Sequence, residues 1–587
     1  VFPFIFTPSV FVKRNNYVLI NCLIIAFANY RCNSDNFLSS YEKNQGTIKK
    51  EASCFRLVQR GNFFNARIAE RSRSHLKQEL AVIDIGSNSI RYVIFHPIAS
   101  GRYIEKINIK VVARLSAHIN EDGALDDEGI TLLEETLKRF YEVGVTHEVE
   151  ETICVATAAI RNATNREVIV AAVTDNTPFS IQVLTDEQEA YYGYFAIINS
   201  TFLTDGFSVD IGGGSMEVTL IENREMVAYH SFPFGAVTLT RQFVSDETLS
   251  GSDKKKLVKF LREQFESIPW LSDKKLPLVG VGGSARNFVR IHQSNQDYPL
   301  RSVHQYQIKA KELAKMVDDL EGKSAKQLSK IEGLSKDRID IFLPALIAIQ
   351  ELSHHIEAEE FVMSNLGLRE GLLYEFDVQD EAYRRIENVR EQSLYQLEND
   401  YKVNRDRATY IGTLAKSMYR QLVTLDLISE RASDLRLLDS ASRLFYCGQY
   451  INPDTRSDQT FYLLTNTELN GMTHKDRVAL SLVSSYSSAK RMQQLAKPFK
   501  DWFTEKTLDR FDLLGSLLKL SHALDVTERK AVDHLELFLE KDHLRFVLDT
   551  GDHDYGFEVE KAEKQKKHLE RIIDQTITFE TKGDLPS

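Results

Sequence analysis

Ala81-Val82-Ile83-Asp84-Ile85-Gly86-Ser87-Asn88-Ser89-Ile90-Arg91-Tyr92-Val93-Ile94-Phe95 reads as a strand, a polar turn and a second strand. Leu80 to Ile83 and Tyr92 to Phe95 are apolar, while Asp84 to Ser89 supplies the Gly, Ser and Asn that tight turns favour. The unit returns later in the chain. Phe207 to Val209 leads into Asp210-Ile211-Gly212-Gly213-Gly214-Ser215, and Val218 to Ile221 resumes the strand, so Asp84 and Asp210 stand 126 residues apart at like positions. A repeat at domain scale predicts two similar lobes, each presenting a glycine-rich turn, with both turns on one cleft.

Outward from these turns, strand and helix patterns alternate. Thr131 to Val143 has helical spacing, Thr152 to Val155 and Leu278 to Val281 read as strands, and Ile308 to Leu320 and Phe342 to Leu352 read as amphipathic helices. Such alternation predicts α/β layered lobes. After about Asp380 the strand signal fades and helical periodicity runs through Leu524, which predicts a mostly helical third domain. From Val547 a short strand and a solvated helix over Glu558 to Glu570 are expected. The expected divisions are a leader over residues 1–78, lobes over 79–201 and 202–378, and the helical domain over 379–587.

A chain of 587 residues is too long for one core. Its 43% hydrophobic and 27% charged residues exclude wholesale disorder and a multi-span membrane protein. A formal charge of −11 argues against a nucleic-acid binder that works by its overall field, so any anionic ligand must be held locally. Cys22, Cys32 and Cys54 lie in the leader, and the remainder has only Cys154 and Cys447 with no CxxC, which favours a reducing, cytoplasmic compartment. In the leader, Tyr17 to Ala28 is apolar behind Lys13 and Arg14, as in a signal or anchor segment, yet it is short for a span and lacks a clean cleavage site. An unstructured or artefactual extension is the alternative, and no membrane association is expected.

Gly86 and Gly212 to Gly214 let backbone N–H groups approach an anion closely, and phosphate is the natural guest. Asp84 and Asp210, just before the turns, could hold a divalent ion against phosphate oxygens, and Glu217 could add a further ligand. For a single turn the plainer account is an Asp that satisfies its own turn amides. Two matched copies weigh against that account. No GxxxxGK[ST] motif occurs, which disfavours a P-loop nucleotide hydrolase.

The stretches AVIDIGSNSIRYVIF, ATAAIRNA, LTDEQEA, SVDIGGGSMEVTLI, FGAVTLT, VGVGGSARN and NLGLREGLL follow one another between about residues 80 and 375. Through them the chain resembles the exopolyphosphatase and guanosine pentaphosphate phosphohydrolase family, within the superfamily of acetate kinase, sugar kinases and actin. The resemblance implies two duplicated actin- and sugar-kinase-like lobes, ribonuclease H-like, followed by a mostly α-helical HD-like domain. It implies release of orthophosphate from inorganic polyphosphate, with guanosine pentaphosphate as a second substrate, and a Mg²⁺ (or Mn²⁺) cofactor. A homodimer is a further implication, since members often pair.

The resemblance also assigns residues. Glu189 falls where the family carries its catalytic base, orienting and deprotonating water. Asp84, Asp210 and Glu217 would hold the metal, Arg161 would grip phosphate as a bidentate fork, and Ser87, Asn88, Ser89, Gly212, Gly213, Gly214 and Ser215 would cradle the phosphates. Bland roles stay open: Glu189 as a first-turn carboxylate favoured by the helix dipole, and Arg161 as an ion-pair partner. Gly282 and Gly283 read as packing glycines beside Arg286, and Arg369 either touches substrate or ties the cleft through Glu370.

In the helical region Phe445 and Tyr446 stand where an HD domain would carry its His-Asp pair, and Gln459 and Ser487 also replace histidines, so a second metal site is not expected. His522 reads as an interior histidine, and Lys490, Arg491, Lys497 and Lys500 as a basic stretch that guides a polyanion tail or simply faces solvent. Two rival functions remain: a phosphotransferase or ATPase that places adenosine near Gly282, and a non-catalytic sensor of polyphosphate or guanosine alarmones.

Overall fold

The computed structural model describes residues 79–98, 102–245, 248–272, 274–377, 385–541, 543–551 and 553–581. The leader over residues 1–78, with its apolar segment and three cysteines, lies outside them, as does Asp380.

The first lobe is a five-stranded sheet in the order β3-β2-β1-β4-β5, from β1 (Glu79–Ile85), β2 (Ile90–Pro97), β3 (Tyr103–Val111), β4 (Val149–Ala156) and β5 (Gln182–Val183). Leu80 to Ile83 of β1 are buried on both faces, as befits a central strand between antiparallel β2 and parallel β4. The second lobe holds β6 (Gly206–Ile211), β7 (Met216–Glu222), β8 (Glu225–Phe232), β9 (Leu278–Val281), β10 (Gln307–Lys309) and β11 (Glu360–Met363), in the order β10-β11-β9-β6-β7-β8. Read from the hairpin edge, β8-β7-β6-β9-β11 repeats β3-β2-β1-β4-β5, with the same antiparallel hairpin followed by parallel crossovers. The two lobes are therefore the duplicated α/β units that the repeated turns predict, and β10 is an added antiparallel edge.

The expected helices form at Asp127–Thr146 and Phe342–His355. The helix expected from Ile308 begins only at Lys311, because Ile308 pairs with Phe361 in the β10–β11 ladder. Its apolar side chain serves a strand and a helix pattern equally well at that boundary.

In each lobe the last strand feeds a helix, Asp186–Ile198 after β5 and Leu368–Asp377 after β11, and these two helices pack together. A methyl group on Gly371 would lie 2.1 Å from Tyr192 O, so only glycine permits this contact. Tyr192 Oη donates to Glu375 Oε2 at 2.6 Å across the same seam.

Beyond residue 388 the chain is mostly helical around its own apolar core, which includes Leu394, Tyr419, Leu482 and Leu517. A three-stranded sheet ends it, β12 (His534–Glu540), β13 (His543–Asp549) and β14 (Thr576–Thr581), in the order β12-β13-β14. The sequence reading found one of these strands. The solvated helix expected over Glu558 to Glu570 is two helices, Gly556–Gln565 and Lys567–Ile573, and Glu558 is fully buried, accepting from Thr527 Oγ1. Among the described residues no helix is long and apolar enough to cross a membrane.

Candidate active site

The two glycine-rich turns meet at one cavity. A methyl group on Gly213 would lie 3.0 Å from Ser87 Cβ, and one on Gly214 3.1 Å from Ser87 Oγ. Each turn closes with a single backbone bond, Gly86 N–H to Ser89 O at 3.2 Å and Gly212 N–H to Ser215 O at 3.0 Å. The carbonyls are tied back: Ser116 N–H donates to Ser87 O and Arg114 N–H to Asn88 O, while Ala236 and Val237 N–H donate to Gly212 O and Gly213 O. The N–H groups of Ser87, Asn88, Gly213 and Gly214 donate to no acceptor among the described residues. Both hairpins thus hold their oxygens away and keep donors for an anion.

Asp84 and Asp210 close β1 and β6 at this cavity. Neither carboxylate accepts a hydrogen bond from the described residues. Burial raises both above the ordinary carboxylate range, Asp210 to about 6 with the Asp84 charge adding to it. Glu217 faces Asp210 across the β6–β7 ladder and accepts from Ser231 Oγ at 3.1 Å. Burial and the neighbouring Glu189 push it well upward. Among the described residues no three His, Cys, Asp or Glu side chains gather closely enough to cage a metal by themselves. Two buried carboxylates lacking hydrogen-bond donors nevertheless fit a hard cation that takes its other oxygens from water and phosphate.

Glu189 is placed by a capping box written in Thr185-Asp186-Glu187-Gln188: Gln188 N–H donates to Thr185 Oγ1 at 3.1 Å, and Thr185 N–H to Gln188 Oε1 at 3.0 Å. The next residue, Glu189, points into the cavity with its side chain 16% exposed. Burial lifts its carboxyl to about 7 against the opposing pull of Arg161, with the Asp210 and Asp84 charges raising it further.

Ser87, Asn88, Ser89, Gly212, Gly213 and Ser215 line the cavity with these four acids. Gly214 backs the turn against Ser87, and Arg161 stands apart from the lining. Its Nη1 donates to Glu189 Oε2 at 2.7 Å and to Leu184 O at 3.2 Å, and its Nη2 lies 2.6 Å from Asp186 Oδ1.

The cavity also carries a cationic wall. Arg286 donates through Nε to Asn365 Oδ1 at 3.0 Å, and burial beside Arg91 and Arg369 lowers its pKa to about 10. Arg369 leaves Nη1 buried without a hydrogen-bond partner, while Glu370 caps its own turn by accepting from Gly367 N–H at 2.8 Å. Arg91, Lys110, Arg290 and Arg338 line the same space, and Lys110 pairs with Asp337. Sequence reasoning missed these four. Arg91 had a signal, because it follows Asp84 by the seven positions that separate Glu217 from Asp210, and the ladders pair both sets directly. The other three come from distant segments with no local motif.

Gly282 and Gly283 do more than admit a helix. Gly282 has φ +82°, and a methyl group there would lie 2.4 Å from Asp210 Oδ1; one on Gly283 would lie 2.2 Å from Arg338 Nη2. In the helical region Phe445 and Tyr446 pack their rings 5.7 and 5.5 Å from His522, and Arg491 of the basic stretch pairs with Asp458 at 2.7 Å.

A duplicated two-lobed fold with apposed anion-binding turns, buried carboxylates and a cationic wall defines a phosphoryl-transfer protein. The sequence matches the Ppx/GppA phosphatase family over residues 104–378 and domain III of the Ppx/GppA phosphatases over residues 389–568. The chain belongs to that family and is a phosphohydrolase. Among curated relatives, the guanosine-5'-triphosphate,3'-diphosphate pyrophosphatase of Vibrio parahaemolyticus is 28% identical over 487 residues, covering 80% of this chain and 92% of its own. That of Pseudoalteromonas translucida is 26% identical over 416 residues, covering 70% and 80%. Of solved structures, the Ppx/GppA family member of Aquifex aeolicus is 26% identical and covers 50% of this chain and 96% of its own, at a TM-score of 0.45. The Cytophaga hutchinsonii exopolyphosphatase is 20% identical, covering 51% and 98%, at 0.47.

Proposed function

We propose that this phosphohydrolase removes orthophosphate from the end of inorganic polyphosphate, with guanosine pentaphosphate as a second substrate of the same cleft. The observation that carries the reading is Glu189: a carboxyl lifted to about 7, braced by Arg161 and facing two turns with free amides. A base with a pKa near the working pH is matched to proton removal from water.

The terminal phosphate sits between the two turns, with its oxygens on the free amides and on Arg286 and Arg369. Glu189 orients the attacking water in line with the bridging P–O bond and takes its proton as the new P–O bond forms. The bridging bond breaks with its electron pair on the leaving phosphate oxygen. That oxyanion needs little acid help, and the cationic wall stabilises it. The products are orthophosphate and a chain one residue shorter.

Asp84 and Asp210, with Glu217 behind Asp210, are the residues that would hold Mg²⁺ or Mn²⁺. Such an ion, when bound, supplies charge neutralisation on the non-bridging oxygens. The buried Cys154 and Cys447, both free thiols, support a cytoplasmic setting for the reaction.

Phosphate release from long-chain polyphosphate compared with release from guanosine pentaphosphate, with Mg²⁺ present, tests the substrate. Faster release from polyphosphate supports the ranking, faster release from the nucleotide reverses it, and release from neither defeats the proposal.

A further inference from the structure

His304 sits where both lobes and the helical region join, and all its polar atoms except the amide are engaged. Its Nε2 is 3.1 Å from Ser200 O, just past the end of the helix that carries Glu189. Asn365 N–H meets its Nδ1 at 3.2 Å, and the Asn365 side chain accepts from Arg286 Nε in the cavity. Its own carbonyl accepts from His474 Nε2 at 2.9 Å, at the start of the helix His474–Ser484.

The proton positions follow from the partners. A carbonyl only accepts, so His304 carries its proton on Nε2 and leaves Nδ1 to accept from Asn365. His474 must likewise donate from Nε2, so its Nδ1 accepts from Tyr298 Oη at 2.9 Å. Both rings are neutral and buried, with every ring nitrogen matched.

The adjoining backbone is strained. Gln305 adopts φ +63°, a conformation side chains with Cβ rarely take. It is clamped from both sides: its N–H donates to Met363 O at 2.7 Å toward the cleft, and its Nε2 to Leu469 O at 2.8 Å toward the helical region. Strain at a non-glycine residue held on both sides points to a functional constraint.

We propose that His304 is a positioning residue that holds Arg286 and the Glu189 helix in one frame, and that the helical region acts on the cleft through His474. The inference rests on the cleft being the phosphate site. His304 touches no substrate; it fixes the Asn365 loop that aims Arg286 and the end of the helix that presents the base.

The test is a steady-state and calorimetric comparison on the full chain, with inorganic polyphosphate and guanosine pentaphosphate as probes. His304→Leu removes both ring contacts and is expected to raise KM about tenfold, since small misplacements of a binding group are costly. His304→Asn keeps an acceptor near the Nδ1 position and should recover most of the KM. In an Arg286→Gln background His304→Leu should change KM no further. Should His304→Leu not fold, Tyr298→Phe and His474→Gln report on the same chain from its far end and should shift KM in the same direction. Full additivity with Arg286→Gln, or a loss that follows folded fraction at unchanged KM, overturns the inference. Wild type that binds neither probe overturns the phosphate-site reading instead.

Discussion

Arg161 Nη1 donates to Glu189 Oε2 at 2.7 Å while its Nη2 lies 2.6 Å from Asp186 Oδ1, so one planar guanidinium braces two acids of a single helical turn. This is the ion-pair role that the sequence left open beside the phosphate fork. Lysine is a point charge and cannot span both acids. Arg161→Lys should lower kcat about tenfold with KM little changed, because the brace serves the transition state more than substrate binding. A raised KM at unchanged kcat would put Arg161 on the phosphate.

Gly282 holds its left-handed backbone against Asp210, and a methyl group there collides with Oδ1. Gly282→Ala should cost about 1–2 kcal/mol of stability from backbone conformation alone. It should also displace the Asp210 carboxylate, so activity is expected to fall further than stability and to need more added Mg²⁺. Metal titrations of both proteins check this.

Arg369 keeps a buried Nη1 without a hydrogen-bond partner, poised at the cavity. A hydrogen bond to a charged group contributes about 2 kcal/mol, so Arg369→Gln should raise KM roughly thirtyfold. The variant's KM should also rise less steeply with ionic strength, since one screened attraction is gone.

His474 is buried and its pKa is lowered to about 3 by burial, with Arg477 adding to the effect; His522, packed against Phe445 and Tyr446, is lowered likewise to about 3. Between those values and the ordinary 6.5, the unfolded chain binds protons that the folded chain refuses. Stability is therefore retained above 6.5 and falls as pH drops toward 3, by at most about 1.4 kcal/mol per pH unit for each group. Thermal melts from pH 7 to 5 should show Tm falling more steeply in wild type than in His474→Gln.

The turns and the base were legible in the sequence because each is written locally. Asp-Ile-Gly recurs with flanking apolar strands, and Thr185-Asp186-Glu187-Gln188 marks the helix start that presents Glu189. The duplicated topology followed from that repeat. Lys110, Arg290 and Arg338 were not legible, since they reach the cavity from β3, from the helix after β9 and from the segment before Phe342, and nothing in their own neighbourhoods marks them. The C-terminal strands were hidden for another reason: β12 exposes Glu and Phe on its outer face and reads as polar chain until its partners are known.

Glu189→Gln tests the central claim most directly, because it keeps the shape of the side chain and removes its ability to take a proton. With polyphosphate and Mg²⁺, the account predicts that phosphate release falls at least about a hundredfold while substrate binding measured by calorimetry is retained. Near wild-type turnover in Glu189→Gln would contradict it and place the base on another residue.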